Sequence, residues 1–412
     1  MTDVAWIGAA LTAARPQAVA ALLRYFRDLD VAEEAFQEAS LRALKSWPLN
    51  GPPRDPAAWL IFVGRNSALD ELRRRNKHDV LPEDDVIPDA EHSESALVER
   101  LDSSAYQDDV LRLLFICCQP DLPATQQIAV ALRIVSGLSV QEIARAFLVT
   151  EAAMAQRITR AKRAMSESAV AFEAPGPVER AERLSTVAAM IYLLFNEGYS
   201  ASGGDAHVRV PLCEEAIRLS RLLLRLFPAE SEIMGLTALL LLQHARAAAR
   251  LDANANIVLL DDQDRSLWNR HLIGEGLVLV EKAQLSGEPG PYQLQAAIAA
   301  VHARAARPQD TDWSQIDRIY AILELLQPSP VITLNRAVAV SKVRGPQAAL
   351  GMLGPLEEPL AGYFHYFGVK GALLKELGRP DEARVAFNKA IGLARTAQEA
   401  AHIRMNLDRL TP

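Results

Sequence analysis

Apolar residues recur at intervals of three and four along most of the chain, a pattern that predicts α-helices almost throughout. The clearest example is a stripe in the segment 138–165 with successive intervals of four, three and four residues: Met154, Ile158, Ala161 and Met165. Half of the residues are hydrophobic but only 6% are aromatic, a composition that favours helix over sheet when alanine and leucine dominate. We therefore predict an all-α protein, long enough for two or three domains.

The segment 138–165 predicts two short helices joined by a turn. Ser139 with Glu142 three residues later is typical of a capping box, and Thr150 is a suitable N-cap for the second helix. The face opposite the apolar stripe is small, polar and basic: Ala152, Gln156, Thr159, Arg160 and Arg163. Such a face suits a DNA-reading helix, although the solvated face of any helical bundle can have the same composition. Leu148 stands where glycine is usual, so we expect an altered turn.

Two further helices are predicted at 30–47 and 56–77. In the first, the residues expected to be buried are Val31, Ala35, Ala39, Ala43 and Trp47. In the second, the candidate core residues are Trp59, Phe62, Val63, Leu69 and Leu72. The polar side of the second helix ends in the arginine run 73–75, which suits a surface that grips a nucleic-acid backbone but also suits a solvated helix end.

The acidic residues are concentrated in one segment. The formal net charge is −7, and the segment 78–109 holds eleven Asp and Glu but one Arg, so it carries −10 and the rest of the chain carries +3. The charge is therefore segregated, and the acidic average does not exclude nucleic-acid binding elsewhere. We interpret this segment as a solvated linker.

Taken in order, the motifs resemble those of a known family. "AEEAFQEASLRAL" precedes "WL…RN…LDELRRR", the acidic linker and the helix-turn-helix. This order resembles bacterial extracytoplasmic-function sigma factors, with region 2 at 1–77, the linker at 78–109 and region 4 at 110–172. "LLFNEGYSASGG", "DRSLWNRHLIGEG" and "PSPVITLNRAVAV" are similar to the subgroup with a tetratricopeptide-like C-terminal extension, here 173–412.

The resemblance implies a role for each set of matching residues. Docking on the β′ clamp helices of RNA polymerase core would involve Glu33, Glu34, Gln37 and Glu38. Opening of the −10 promoter element would involve Trp59, Arg65, Asn66, Asp70, Arg73 and Arg74. Reading of the −35 element would involve Thr150, Ala152, Ala153, Gln156, Arg157, Arg160 and Arg163. The implied partners are promoter DNA and the polymerase core, through its β′ clamp helices and its β flap.

An internal repeat supports the expected solenoid. The stretch that starts at Arg336 resembles the stretch that starts at Lys370, an offset of 34 residues that matches the tetratricopeptide period. The aligned pairs are Ala337 with Gly371, Pro346 with Pro380, and Ala349 with Ala383. We predict stacked helix pairs that regulate the sigma regions in cis, with a regulatory partner as a further possibility.

Other classes of protein fit the sequence less well. Cys117, Cys118 and Cys213 lack the spacing of a disulfide scaffold or a zinc site, which predicts buried thiols. No nucleophile–base or metal constellation stands out, so we expect neither an enzyme nor a cofactor. The chain lacks a plausible signal peptide and an apolar stretch of about 20 residues, which predicts a cytoplasmic protein without a membrane anchor.

The residues alone leave two other functions open. One is a helix-turn-helix transcription regulator with a tetratricopeptide-like interaction domain that does not act as a polymerase subunit. The other is a solenoid scaffold whose N-terminal helices bind protein. Charge reversal on the face from Glu33 to Glu38 would distinguish the regulator from a polymerase subunit, because only the subunit needs that face to bind the core. Absence of salt-sensitive DNA binding, by both the full chain and its first 170 residues, would favour the scaffold.

Overall fold

A computed structural model provides the fold. It describes residues 5–51, 53–75, 104–118, 122–147, 149–166, 177–199, 210–252, 258–285, 289–394 and 397–410. Over these ranges the regular structure consists of α-helices and short 3₁₀ turns without a strand, which confirms the all-α prediction. The chain divides into two compact units, Met1–Leu193 and Leu194–Pro412.

The N-terminal unit begins with a three-helix bundle. The helices of this unit that precede the boundary are α1 (Ala5–Phe26), α2 (Leu29–Asn50), α3 (Pro56–Arg75), α4 (Ser104–Ile116), α5 (Ala124–Ile134), α6 (Val140–Ala146) and α7 (Glu151–Ser166). Helices α1, α2 and α3 all pack on one another, and α4 packs against α1. Helices α5 and α6 both pack against α7. The predicted linker 78–109 lies outside the described residues except for the first turns of α4.

The core of the bundle agrees with the pattern on α2 but not on α3. On α2 the predicted stripe is buried from Ala35 to Trp47, and only Val31 is half-buried. On α3 the prediction was wrong for four residues, because Trp59, Phe62, Val63 and Leu69 are half-buried, and the side chain of Leu72 lies outside the described residues. The buried face of α3 instead consists of Ala57, Ala58, Leu60, Ile61, Gly64 and Ser67. Most of these residues are small, so they let α3 approach its neighbours closely while the bulky residues lie at the margins of the contact.

Helix α8 (Pro177–Tyr199) contains the boundary between the two units, whereas the predicted C-terminal domain begins at residue 173. The later helices are α9 (Val210–Leu226), α10 (Ser231–His244), α11 (Arg270–Gln284), α12 (Pro291–Arg304), α13 (Trp313–Leu326), α14 (Pro330–Arg344), α15 (Pro346–Leu353), α16 (Phe364–Glu376), α17 (Pro380–Leu393) and α18 (Ala397–Asp408). From α9 to α18 each helix packs on a neighbour in sequence, and α10 also packs on α12.

The repeat seen in the sequence appears as a repeat of helices. Helices α14 and α16 begin 34 residues apart, and so do α15 and α17. The aligned Ala349 and Ala383 are both fully buried, as are Ala337 and Gly371 within their helices. A Cβ atom on Gly371 would lie 2.5 Å from the ring of Phe387, so this position requires glycine for close packing of α16 on α17. Assignment of these pairs to the tetratricopeptide class remains a prediction.

Among the described helices, none combines the length and the apolar character needed to cross a bilayer.

Candidate nucleic-acid interface

Local side-chain caps fix the start of both helices in the helix-turn-helix. Glu142 accepts hydrogen bonds from the backbone N and the Oγ of Ser139, each at 2.7 Å, while Ser139 Oγ accepts from the Glu142 backbone N at 3.2 Å. These bonds hold the pKa of Glu142 below its usual value. Thr150 Oγ1 accepts from the backbone N of Ala153 at 3.3 Å, which caps α7. Both predicted caps are confirmed, and Leu148 lies outside the described residues.

The apolar stripe of α7 is buried as predicted and sets the orientation of the helix. Its four members are at most 6% exposed: Met154, Ile158, Ala161 and Met165. Five of the seven residues expected to read DNA are consequently exposed: Thr150, Ala152, Gln156, Arg160 and Arg163. Ala153 and Arg157 are half-buried beside them. The described part of α7 therefore presents a polar face with three arginines at or near it, while its other face anchors it on α5 and α6.

The residues expected at the −10 element lie along α3. Trp59, Asn66 and Asp70 are separated by seven and four residues, a spacing that places them on one side of the helix. Trp59 packs edge-to-face on Trp47 with ring centroids 5.4 Å apart. The guanidinium of Arg65 lies 4.3 Å from the ring centroid of Tyr25. These contacts hold Trp59 and Arg65 in fixed positions.

The rest of the −10 set differs in exposure. Asn66 is half-buried and Asp70 is exposed. Helix α3 continues to Arg75, but the side chains of Arg73 and Arg74 lie outside the described residues. All six residues thus belong to α3, and the structure describes the side chains of four of them. The role of the basic end of α3 stays a prediction.

An exposed acidic and apolar face lies on α2. Glu34, Gln37 and Glu38 are all exposed. Leu41 and Leu44 continue this face and are 54% and 48% exposed, although both are large hydrophobic residues. The sequence pattern did not identify these two leucines as surface residues, because the alanine-rich stripe already accounted for the buried face of the helix. Exposed leucines beside an acidic surface are typical of a face that binds another protein.

Glu33 lies apart from that face. It is only 5% exposed, and its carboxylate pairs with Arg15 Nη2 at 3.1 Å and with Lys162 Nζ. Of the four residues expected to dock on the polymerase, three are therefore together on the surface and the fourth lies inside an ion-pair cluster. A signal for this cluster was present in the sequence of α1. Arg15 lies on the same face of the helix as the buried Ala18, Val19 and Leu22, and a charged residue on such a face needs a partner.

The described residues offer little chemistry of other kinds. No group of three or more His, Cys, Asp or Glu among them is arranged to hold a metal ion. All three cysteines are buried free thiols, as predicted. Burial raises the pKa of Cys118 and of Cys213 to about 12, so these thiols are poor nucleophiles at neutral pH.

Comparison with known protein families resolves which class of DNA-binding protein this is. Residues 11–78 match sigma-70 region 2, and residues 112–165 match sigma-70 region 4. Over 167 residues the chain is 29% identical to the probable ECF RNA polymerase sigma factor SigI of Mycobacterium tuberculosis, covering 40% of this chain and 56% of SigI. The chain belongs to the extracytoplasmic-function sigma factors.

This sigma factor has a C-terminal extension with relatives of its own. Residues 183–284 match a family of unknown function, DUF6596. An uncharacterized protein of Rhizobium meliloti (strain 1021) is 65% identical over 410 residues, covering 100% of this chain and 97% of the relative. The similarity to that relative thus spans both sigma regions and the extension of this chain.

Proposed function

We propose that this sigma factor directs RNA polymerase core to promoters by reading the −35 element with α7 and opening the −10 element with α3. The observation that carries the proposal is the division of α7 into a buried apolar stripe and an exposed face with Gln156, Arg160 and Arg163. A helix held in this way can enter a major groove without disturbing its own core.

The chemistry of the α7 face fits base and phosphate recognition. Ala152 and Ala153 lie in the first turn, where short side chains allow the helix to approach the base edges. Gln156 and Arg160 can form paired hydrogen bonds with base edges. Arg163 lies further along the helix and suits a phosphate, which would fix the position of α7 without specifying sequence.

The proposal for α3 rests on its aromatic and polar side. Trp59 is half-buried, and its contact with Trp47 holds the indole in place. A fixed aromatic ring can stack on an unpaired base, and such stacking favours the melted strand over the duplex. Arginines at the end of α3 would hold the backbone of that strand.

Core docking is assigned to the exposed face of α2. Glu34, Gln37 and Glu38 would meet the β′ clamp helices, with Leu41 and Leu44 adding apolar contact area. Glu33 would join this docking set once it leaves its ion pairs with Arg15 and Lys162. Region 4 would meet the β flap, as the family implies.

The decisive experiment is reconstituted transcription with purified polymerase core and the full chain on genomic DNA from the source organism, with sequencing of the RNA 5′ ends. Gln156→Ala combined with Arg160→Ala should reduce initiation at the sites found by the wild type at least tenfold. Arg384→Ala removes an exposed arginine from α17 and serves as the control, which should leave initiation unchanged. If the chain never stimulates the core but binds the same DNA through Gln156 and Arg160, it is a regulator outside the polymerase.

A second arm tests melting. Arg73→Ala combined with Arg74→Ala should reduce transcription from duplex promoters. A template whose −10 element is already mismatched should restore most of the activity, because the variant then has no base pairs to open. Equal losses on both templates would contradict a role in melting.

We also propose that the extension regulates the sigma regions in cis. Its support is that the DUF6596 match begins only after both sigma regions and extends into the second compact unit. A chain that ends at Tyr199 keeps α8 whole and should differ from the full chain in transcription per bound core. Equal activity of the two chains would contradict regulation in cis.

A further inference from the structure

We propose that the N-terminal unit is a closed state in which region 4 is latched onto region 2, with Lys162 as the latch and the polymerase-docking residue Glu33 beneath it. The consequence for docking rests on the proposed function, whereas the latch itself does not.

The first contact of the latch joins α7 to the start of α2. Lys162 Nζ lies 2.9 Å from Asp30 Oδ1 and also bonds Glu33 Oε2. The two acids precede Lys162 by 132 and 129 residues. This lysine therefore joins the reading helix of region 4 to the docking helix of region 2.

Arg15 makes the second contact. Its Nη2 pairs with Glu33 Oε1 at 3.1 Å, and its Nε donates to the carbonyl oxygen of Ile134 at 2.8 Å. Nη2 also lies 3.3 Å from the carbonyl oxygen of Arg133. These carbonyls are at the C-terminal end of α5, where carbonyl groups lack helical partners and the helix dipole is negative. An arginine of region 2 therefore caps a helix of region 4.

The backbone beyond α5 is shaped to receive Arg15. Gly137 has a φ of +74°, and a Cβ atom on it would lie 2.8 Å from Arg15 Cδ. Only glycine meets both conditions without strain, since other residues rarely adopt a positive φ. The turn before the helix-turn-helix is thus fitted to a side chain from α1.

A fourth ion pair lies away from the latch. Arg24 Nη1 on α1 bonds Asp109 Oδ2 on α4 at 3.0 Å, and the Asp109 side chain is buried. Asp109 also pairs with Arg112 at 3.1 Å on its own helix. Arg24, near the C-terminal end of α1, therefore ties α1 to the first turns of α4, while Arg15 ties the middle of α1 to α5.

Burial makes the latch a switch between two states. A buried carboxylate needs its cations, because breaking one of its pairs leaves charge in a poorly solvated place. Glu33 can satisfy its charge either with Arg15 and Lys162 or with groups on the polymerase. The reading face of α7 is exposed within this unit, so closure withholds Glu33 and does not cover Gln156 or Arg160.

Lys162→Gln in the full chain tests the latch with a matched control. Arg145→Gln removes one positive charge from the exposed surface of α6, also in region 4, and leaves Lys162 in place. We expect Lys162→Gln to bind polymerase core about fivefold more tightly or better, a typical size for a coupling between two states. Arg145→Gln should bind the core like the wild type. Asp30→Asn is the second variant, and it should also tighten core binding because it removes a partner of Lys162. Its side chain is 83% exposed, so the substitution should not disturb the fold.

A measurement without polymerase separates the latch from the proposed function. Hydrogen exchange of the amides near the α5 C-terminus and the α2 N-terminus should speed up in Lys162→Gln and Asp30→Asn but not in Arg145→Gln. Unchanged exchange in both latch variants would overturn the latch. Faster exchange with no core binding by any chain would keep the latch and reject the proposed function.

Locking the closed state tests its effect on docking. In a chain with Asp30→Cys and Lys162→Cys, a short bismaleimide should cross-link the two introduced cysteines, while the buried native thiols should react slowly. The joined chain should lose core binding, and the same chain left unjoined should bind at least as well as the wild type. A joined chain that binds the core as tightly as the unjoined one would show that closure does not control docking.

Discussion

Adjacent carboxylates on α2 have different environments. Glu33 lies between Arg15 and Lys162, whereas Glu34 points to the exposed face. The helix turns by about 100° per residue, so a single step along the sequence moves a side chain from the interface to solvent. The same residue type therefore has a structural and electrostatic role at one position and a surface role at the next.

Glu33→Gln should lower the free energy of unfolding by about 3 kcal/mol, because it leaves Arg15 without its acidic partner and Lys162 paired only with the exposed Asp30. Glu34→Gln is the matched control and should stay within about 0.5 kcal/mol of the wild type. Urea denaturation followed by circular dichroism measures both. Similar values for the two variants would mean that the Glu33 pairs contribute little.

His302 on α12 makes the C-terminal unit sensitive to acid. Burial, together with the charges of Arg246 and Arg265, lowers its pKa to about 4 from an ordinary value of 6.5. Between these two pH values the unfolded chain binds a proton that the folded chain does not, so stability falls as the pH drops through this window and the loss is complete below about 4.

His302→Phe should flatten that pH dependence while keeping an aromatic ring against Trp313, whose centroid lies 5.2 Å from that of His302. The difference in stability between variant and wild type should change by up to about 3 kcal/mol from pH 7 to pH 4. Thermal unfolding across that range is the measurement. Other histidines titrate equally in both proteins, so a constant difference would contradict the assignment to His302.

At the scale of elements, the sequence predicted the features that depend on residues close together in the chain. The capping box at Ser139 and the buried stripe of α7 depend on residues three or four positions apart, and both are confirmed. The buried face of α3 depends on the helices that pack against it, so hydrophobicity selected Trp59 and Phe62 where the contact needs small residues. The burial of Glu33 depends on Lys162, 129 residues away, and no local pattern encodes that.

The contact between α16 and α17 gives a prediction at this scale. Gly371→Ala places a methyl group 2.5 Å from atoms of the buried Phe387 ring, which can move little, and should cost about 1–3 kcal/mol of stability. Gly368→Ala on the same helix meets only Ile403 Cδ1 at 3.5 Å, an ordinary contact. It should be neutral or stabilise by up to about 1 kcal/mol through helix propensity. Equal melting temperatures of the two variants would contradict this packing.

At the scale of the whole molecule, the proposed function gives the N-terminal unit three activities, namely core docking, −10 opening and −35 reading, and the latch would impose an order on them. The exposed face of α2, the polar side of α3 and the reading face of α7 belong to one compact unit in which Arg15 and Lys162 join the sigma regions. Docking that needs Glu33 must therefore follow separation of α7 from α2.

This order predicts saturating kinetics. When polymerase core is added in increasing excess to the labelled full chain, the observed rate of association should level off at the rate of opening. In Lys162→Gln the plateau should rise or vanish, whereas in Arg145→Gln it should match the wild type. A wild-type rate that increases linearly with core concentration, measured by stopped-flow fluorescence, would show that opening does not precede docking.

In the proposed closed state Glu33 pairs with Arg15 and Lys162, and in the open state it would face polymerase. The balance between these two states would also affect how strongly the protein competes for a shared polymerase. The measured affinity equals the intrinsic affinity multiplied by the fraction of molecules that are open. If about one molecule in a hundred is open, the core is bound about a hundredfold more weakly than the docking surface alone would allow. A signal that shifts this population can therefore change promoter choice in the cell without altering any residue that touches polymerase or DNA.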